Sequence, residues 1–435
     1  METRLAEEFQ NTSEGKEAET ILRACVHCGF CNATCPTYQL LGDENDGPRG
    51  RIYLIKQMLE GKLEKPADSH HHAKKTLLHL DRCLTCRNCE TTCPSGVQYA
   101  KLLDIGRNVA ENIATRPRME SQTRAVLRKV LPYSKRFSAL LSTGRLFKPL
   151  LPAAMSKKIP RKGSPLDSKL SDWPKPAHAR RMLILDGCVQ PAISPEINLA
   201  TALVLDKLGI SLLRIKKAGC CGAVSQHLSA EEEALQFMRR NIDAWWNEIS
   251  DKDNGVEAII STASGCGAML KDYYHYLKHD PEYAHKAKRV SSLSKDIAEV
   301  ILQESAITSN TTNNTISTSN RNYKKALQAT TESTVVAWHP PCTLQHGQKI
   351  TGVVEKILTD AGFTLVPVND QHLCCGSAGT YSILQPEISN KLRDNKLTNL
   401  LKKNPEMIVT ANIGCQTHLQ ESTDKPVVHW ITLFA

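Results

Sequence analysis

Eight cysteines fall in two short runs of the same spacing. The first is Cys25-Val26-His27-Cys28-Gly29-Phe30-Cys31-Asn32-Ala33-Thr34-Cys35-Pro36, the second Cys83-Leu84-Thr85-Cys86-Arg87-Asn88-Cys89-Glu90-Thr91-Thr92-Cys93-Pro94. Both read C-x2-C-x2-C-x3-C-P. Three thiolates at two-residue gaps wrap three irons of one 4Fe–4S cubane, and the fourth, carried off by the proline turn, reaches the neighbouring cluster. Cluster one is therefore expected on Cys25, Cys28, Cys31 and Cys93, and cluster two on Cys83, Cys86, Cys89 and Cys35. Structural zinc usually takes two separated pairs of ligands, so two uninterrupted runs favour clusters. Gly29 suits either a close backbone approach to inorganic sulfide or an ordinary turn. The chemistry is electron carriage, and no residue is singled out as catalytic.

The other eight cysteines recur in a duplicated pattern. Cys188, the pair Cys220-Cys221 and Cys266 form one copy; Cys342, the pair Cys374-Cys375 and Cys415 form the other. In each, 31 residues separate the first cysteine from the pair, and the pair is followed by glycine. All eight are candidate metal ligands, since gathered thiolates suit soft metals. The competing reading is that some are buried structural thiols.

These residues need elements to hold them. Between the runs, Arg51 to Glu60 reads as a helix closed by Gly61, so residues 15–110 are expected to form a mostly helical two-cluster ferredoxin domain. The triplet His70-His71-His72 is expected in a solvated loop. In the first copy, apolar runs at Met182–Leu185, Ser211–Ile215 and Ala258–Thr262 alternate with helical patterns at Glu196–Leu208 and Ala230–Ile249. In the second, runs at Thr334–Trp338, Thr364–Val368 and Met407–Ala411 alternate with helices at Lys349–Asp360 and Pro386–Leu401. This alternation predicts an open α/β sheet in each copy, with cysteines just past the C-terminal strand ends, where such sheets place ligands. The fold class is α+β multidomain: a helical cluster domain, then a duplicated α/β half at 181–304 and 334–435. Residues 305–333, rich in Ser, Thr and Asn, read as a tether.

Residues 111–180 are basic. From Arg116 to Arg181 there are 17 Lys and Arg against Glu120, Asp167 and Asp172, whereas the whole 435-residue chain carries only +10. Leu127, Val130, Leu131, Phe137, Leu140 and Leu141 interleave at helical spacing. The segment suits an anionic membrane surface, an acidic partner subunit or a packed connector. Aromatic residues make up 5% of the chain, too few to favour base stacking, and no nucleic-acid motif accompanies the charge. No apolar run approaches a membrane span. The first ten residues carry Glu2, Glu7 and Glu8 and lack an apolar core, unlike a secretory signal. The expected location is cytoplasmic, peripheral on the inner face of the cell inner membrane, where reduced cysteines point to metal rather than to disulfides.

Two cluster motifs followed by two CCG modules resemble the iron–sulfur subunits of membrane-associated dehydrogenases, especially those of bacterial glycolate oxidase. The resemblance is carried by Asp186-Gly187-Cys188-Val189-Gln190-Pro191, His339-Pro340-Pro341-Cys342-Thr343-Leu344-Gln345-His346-Gly347-Gln348, His372-Leu373-Cys374-Cys375-Gly376-Ser377-Ala378-Gly379-Thr380-Tyr381 and Asn412-Ile413-Gly414-Cys415-Gln416-Thr417-His418. It implies a complex that oxidises glycolate and D-lactate. Flavin-containing partner subunits would bear FAD and remove hydride, and this chain would pass electrons toward the membrane quinone pool. The sequence has no G-x-G-x-x-G fingerprint. Related readings assign the partners glycerol-3-phosphate or lactate. A third, heterodisulfide-reductase-like reading makes this chain catalytic, but Met269 and His418 stand where that family's modules end in C-x-x-C. His418 then offers a nitrogen ligand or an ordinary hydrogen-bonded histidine.

Overall fold

The structure, a computed structural model, describes residues 1–62, 69–150, 172–310, 323, 325–328 and 334–435. It divides into two units. The first gathers Met1–Leu127, Gln226–Ala230 and Asp370–Lys396; the second gathers Arg128–Ser225, Glu231–Asn369 and Leu397–Ala435.

The first unit is built on helices α1 (Ser13–Ala24), α2 (Pro48–Leu59), α3 (Ser69–Asp81), α4 (Tyr99–Ile113) and α5 (Arg118–Val130). Thr12 caps α1 by accepting from the Gly15 amide, and proline opens α2 where no amide partner is needed. Leu22, Ile55, Leu59, Leu80, Leu102 and Leu103 form its buried core. Where α2 meets α4, Gly106 has no room for a side chain: a Cβ there would stand 2.6 Å from Ile55 Cγ1. The histidine triplet departs from expectation. It lies in the first turn of α3, because Ala73, Thr76, Leu77 and Leu80 bury one helical stripe and carry the helix back through it.

Part of the basic segment is neutralised within this unit. Arg116 pairs with Asp81, Glu111 and Glu120, and Arg124 pairs with Asp81 and Glu120. The next helix, α6 (Ser134–Phe147), belongs to the second unit and leaves Leu140, Leu146 and Phe147 exposed beside Lys135 and Arg136. Most of the expected tether, and residues 151–171 of the basic segment, lie outside the described residues; residues 305–310 continue the helix Ile297–Asn310. No helix among the described residues is long and apolar enough to cross a membrane.

The second unit holds two four-stranded, all-parallel sheets of the same order, β2-β1-β3-β4 and β6-β5-β7-β8. The strands are β1 (Arg180–Ile184), β2 (Ile210–Arg214), β3 (Ile259–Ser261), β4 (Ser294–Asp296), β5 (Val335–His339), β6 (Thr364–Leu365), β7 (Met407–Thr410) and β8 (Val427–His429). The duplicated α/β half is thus present as read. The short fourth strands, β4 and β8, were not foreseen. Strand β6 is also shorter than expected, since Pro367 brings no amide to extend the ladder beyond Val366. One core runs through both copies, from Ile184, Ile197 and Ile260 to Trp338, Ile357, Trp430 and Phe434. His429 crosses between them, its Nε2 donating to the Thr262 carbonyl at 2.8 Å.

Candidate metal centres

Each N-terminal run winds in the same way. His27 and Gly29 flank Cys28 with φ of 56° and 86°, and Thr85 and Arg87 flank Cys86 with φ of 54° and 61°. Two left-handed residues around the middle cysteine curl the chain so that its thiols turn inward. Left-handed backbone costs a residue with a Cβ about 1 kcal/mol, and glycine relieves that cost only in the first run. Gly29 is also packed by Arg49, whose Nη1 would lie 2.6 Å from an added Cβ. After each run a proline redirects the chain: Pro36 starts the short helix Pro36–Leu41, and Cys93 is followed by Pro94.

The eight thiols border two cavities. One, with an empty volume of about 430 Å³, is lined by Cys25, Cys28, Cys31 and Cys93, with Cys89 in the shared wall. The other, about 300 Å³, is lined by Cys35, Cys83, Cys86 and Cys89. Burial and the neighbouring Cys25 push the Cys31 thiol up to about 11. Burial pushes Cys25 up as well, and burial with Cys86 and Cys83 pushes up Cys89. Crowded, buried thiols resist becoming thiolates side by side. Metal cations among them remove that obstacle, since a coordinated thiol is deprotonated outright. The donor set therefore fits iron–sulfur clusters, and none of the cysteines is tied up in a disulfide.

The second cavity has polar walls. The Thr85 amide donates to Cys83 Sγ at 3.4 Å and Tyr99 Oη donates to it at 3.6 Å. Thr37 Oγ1 stands 3.3 Å from Cys35 Sγ. Residues from far along the chain close over this region. Asn88 Nδ2 donates to the Thr34 and His372 carbonyls at 2.9 and 3.1 Å, and Tyr381 Oη donates to the Arg82 carbonyl at 3.0 Å. The Cys374-Cys375 loop therefore belongs to the same unit as the two cavities, which no local pattern announced.

In the first CCG copy, Cys188, Cys220, Cys221 and Cys266 converge. Cys188 and Cys220 pack in one apolar cluster with Phe237, and Cys221 and Cys266 in the neighbouring one. Contacts from Cys188 and Cys221, the Gly222 amide at 3.5 Å and the nearby Arg240 together pull the Cys220 thiol down. Its partners Cys188 and Cys221 are pushed up in turn. Asn241 fixes the loop, donating to the Cys220 carbonyl at 2.8 Å, and Tyr273 donates to the Cys221 carbonyl at 3.0 Å.

In the second copy, Cys342, Cys374, Cys375 and Cys415 are all buried. The Gly376 amide donates to Cys374 Sγ at 3.4 Å, repeating the Gly222–Cys220 arrangement. Cys342 follows β5 and Cys415 lies in the helix Ile413–Gln420 after β7. A buried histidine escaped the sequence reading: a ring nitrogen of His339, the last residue of β5, lies within 4.8 Å of Cys415 Sγ. The signal was its place three residues before Cys342, where the first copy has Leu185. His418 instead turns Nδ1 toward Glu421, 3.9 Å away, and Met269 is packed in the core.

Family models place a 4Fe-4S dicluster domain at residues 21–97 and a cysteine-rich (CCG) domain at 182–271 and again at 336–420. The chain is 51% identical over 433 residues to the glycolate oxidase iron-sulfur subunit of Escherichia coli, covering 100% of this chain and 98% of that protein. It is 28% identical to a probable glycolate oxidase iron-sulfur subunit of Bacillus subtilis, covering 94% and 90%. A lactate utilization protein A of an Exiguobacterium species is 24% identical over 52% of this chain and 84% of its own length.

Proposed function

Because this chain belongs to the family of glycolate oxidase iron-sulfur subunits, we propose that it is the electron-transfer subunit of a complex oxidising glycolate, and D-lactate, to the 2-oxo acid. The observation that carries this reading is the pair of cysteine-lined cavities, each reached by the last cysteine of the opposite run. In this reading Cys25, Cys28, Cys31 and Cys93 hold one 4Fe–4S cluster, and Cys83, Cys86, Cys89 and Cys35 the other. When bound, the clusters supply one-electron acceptors and donors at fixed positions. The chain's own residues do the rest. The left-handed turns aim the thiols, Tyr99 and the Thr85 amide donate to Cys83, and the helical core buries Cys25, Cys83 and Cys89.

Hydride removal from a 2-hydroxy acid needs a flavin or nicotinamide; we assign it to flavin-containing partner subunits. The onward acceptor is the membrane quinone pool. Helix α6 supports a peripheral membrane contact, with exposed Leu140, Leu146 and Phe147 beside basic side chains. The CCG cysteines are further metal ligands, with the converging Cys188, Cys220, Cys221 and Cys266 the better supported set.

The test is glycolate-dependent dye reduction by the chain purified with its flavin partners. The double variant Cys28→Ser/Cys86→Ser is expected to abolish it while glycolate binding to the partners persists. Undiminished dye reduction would overturn the reading.

A further inference from the structure

The two cavities differ in the charge beside them. Arg51 lines the second and is fully buried. Its Nε donates to the His79 carbonyl at 2.7 Å and its Nη2 to Thr37 Oγ1 at 3.1 Å, the hydroxyl that touches Cys35 Sγ. Its only carboxylate among the described ion pairs is Asp46, 3.7 Å away. That carboxylate is already held by Arg82 at 2.7 Å and His79 Nδ1 at 2.9 Å. Two guanidinium groups thus share one carboxylate, and positive charge is left in a dry wall. An arginine keeps its proton in a protein, so this charge is permanent.

The first cavity also has an arginine, Arg49, but its side chain is 36% exposed and Glu44 takes it by two hydrogen bonds at 2.6 and 3.1 Å. One acid cancels one base there, and water screens both. Cluster potentials follow net charge, hydrogen bonding to sulfur and exposure, and a charge away from water acts several times more strongly than one in it.

We propose that Arg51 is a positioning residue for charge: it holds the group bound by Cys35, Cys83, Cys86 and Cys89 at a higher reduction potential than the group bound by Cys25, Cys28, Cys31 and Cys93. This rests on the reading that each cavity binds a 4Fe–4S cluster. The step concerned is gain of one electron and one negative charge, with no proton required, and a fixed buried cation favours the charged product. Electrons entering the chain then collect at the second group, beside the loop tied down by Asn88 and Tyr381.

The experiment is an EPR-monitored redox titration of the full chain, purified anaerobically and analysed for iron. Cys28→Ser and Cys86→Ser assign each couple by removing one of them, and Cys86→Ser should remove the higher. Arg51→Gln should lower the reduced-to-oxidised ratio of that couple at least tenfold at fixed ambient potential, a shift of about 59 mV for one electron. Arg51→Lys should restore most of it. Asp46→Asn, which removes the anion instead, should move the same couple the other way, and this decides the matter if Arg51→Gln fails to fold. The first couple should change less than threefold throughout. Loss of the higher couple in Cys28→Ser, or no shift in the Arg51 and Asp46 variants, or shifts of one sign, overturns the proposal while leaving both clusters in place. Wild-type protein with far fewer than about eight irons and no cluster signal overturns the cavity reading itself.

Discussion

Cys93 lines the same cavity as Cys25, although the two belong to different runs, and Cys35 lines the cavity of the second run in exchange. Serine at position 93 should therefore cost the cluster that serine at 25 costs, not the one lost with Cys86. Cys35→Ser should pair with Cys86→Ser. Each single variant should lose about four irons per chain, and EPR of the reduced proteins should sort the four variants into those two pairs.

The glycines after the two cysteine pairs should differ in tolerance. Gly222 and Gly376 have φ of 94° and 90°, so alanine is strained at both. At Gly376 the new Cβ would stand 2.5 Å from the Ser389 carbonyl oxygen, whereas at Gly222 the nearest atom, the Ala234 carbonyl oxygen, is 3.0 Å away. Gly222→Ala should cost about 1–2 kcal/mol from the backbone alone. Gly376→Ala should cost roughly twice that, because backbone must shift as well. Denaturant midpoints of the two variants should show this order.

His429 makes the second unit sensitive to acid. Burial holds its imidazole down to about 4, neutral, with Nε2 donating to Thr262 and Nδ1 accepting from the Ile431 amide. The folded value lies below the unfolded 6.5, so the stabilisation is complete above pH 6.5 and is lost as pH falls from 6.5 through 4. At about 1.4 kcal/mol per unit, the loss reaches about 3 kcal/mol. His429→Gln should flatten the fall in melting temperature over that range.

Asp296 acts in the opposite sense. Burial is the main cause that pushes its carboxyl up to about 7. Its folded value exceeds the unfolded one, so its contribution is complete below about pH 4 and lost as pH rises through 7. Asp296→Asn keeps an oxygen for the Ala298 amide, which the carboxylate accepts at 3.0 Å. The variant should be more stable than wild type at pH 8, by up to about 4 kcal/mol, and the gap should close toward pH 4. Thermal unfolding at several pH values checks both slopes.

Much of this architecture could be read from residues close together in the chain. The two C-x2-C-x2-C-x3-C-P runs predict an exchange through the proline that turns the fourth cysteine away, and Cys93 and Cys35 do line the opposite cavities. Strands such as Arg180–Ile184 and Met407–Thr410 announced themselves as apolar runs ending at a cysteine. The unread parts depend on partners distant in sequence. Ser294–Asp296 is a polar tripeptide that becomes a strand only because Ile259–Ser261 offers it a ladder. Arg51 read only as the first residue of a helix; its meaning comes from His79 and Asp46. His70 to His72 resembled loop until the stripe beginning at Ala73 pulled them into a helix. The placement of the Cys374-Cys375 loop beside Asn88 rests on single hydrogen bonds across some 280 residues, which no periodicity encodes.

The exchange of Cys35 and Cys93 also has a bearing on biosynthesis. When only the first run has left the ribosome, three thiols of one cage and a single thiol of the other exist, and neither can close. The second cage gains its last thiol with Cys89 and the first with Cys93. Under the proposed assignment, a nascent chain that ends before Cys89 offers no closed cage to fill.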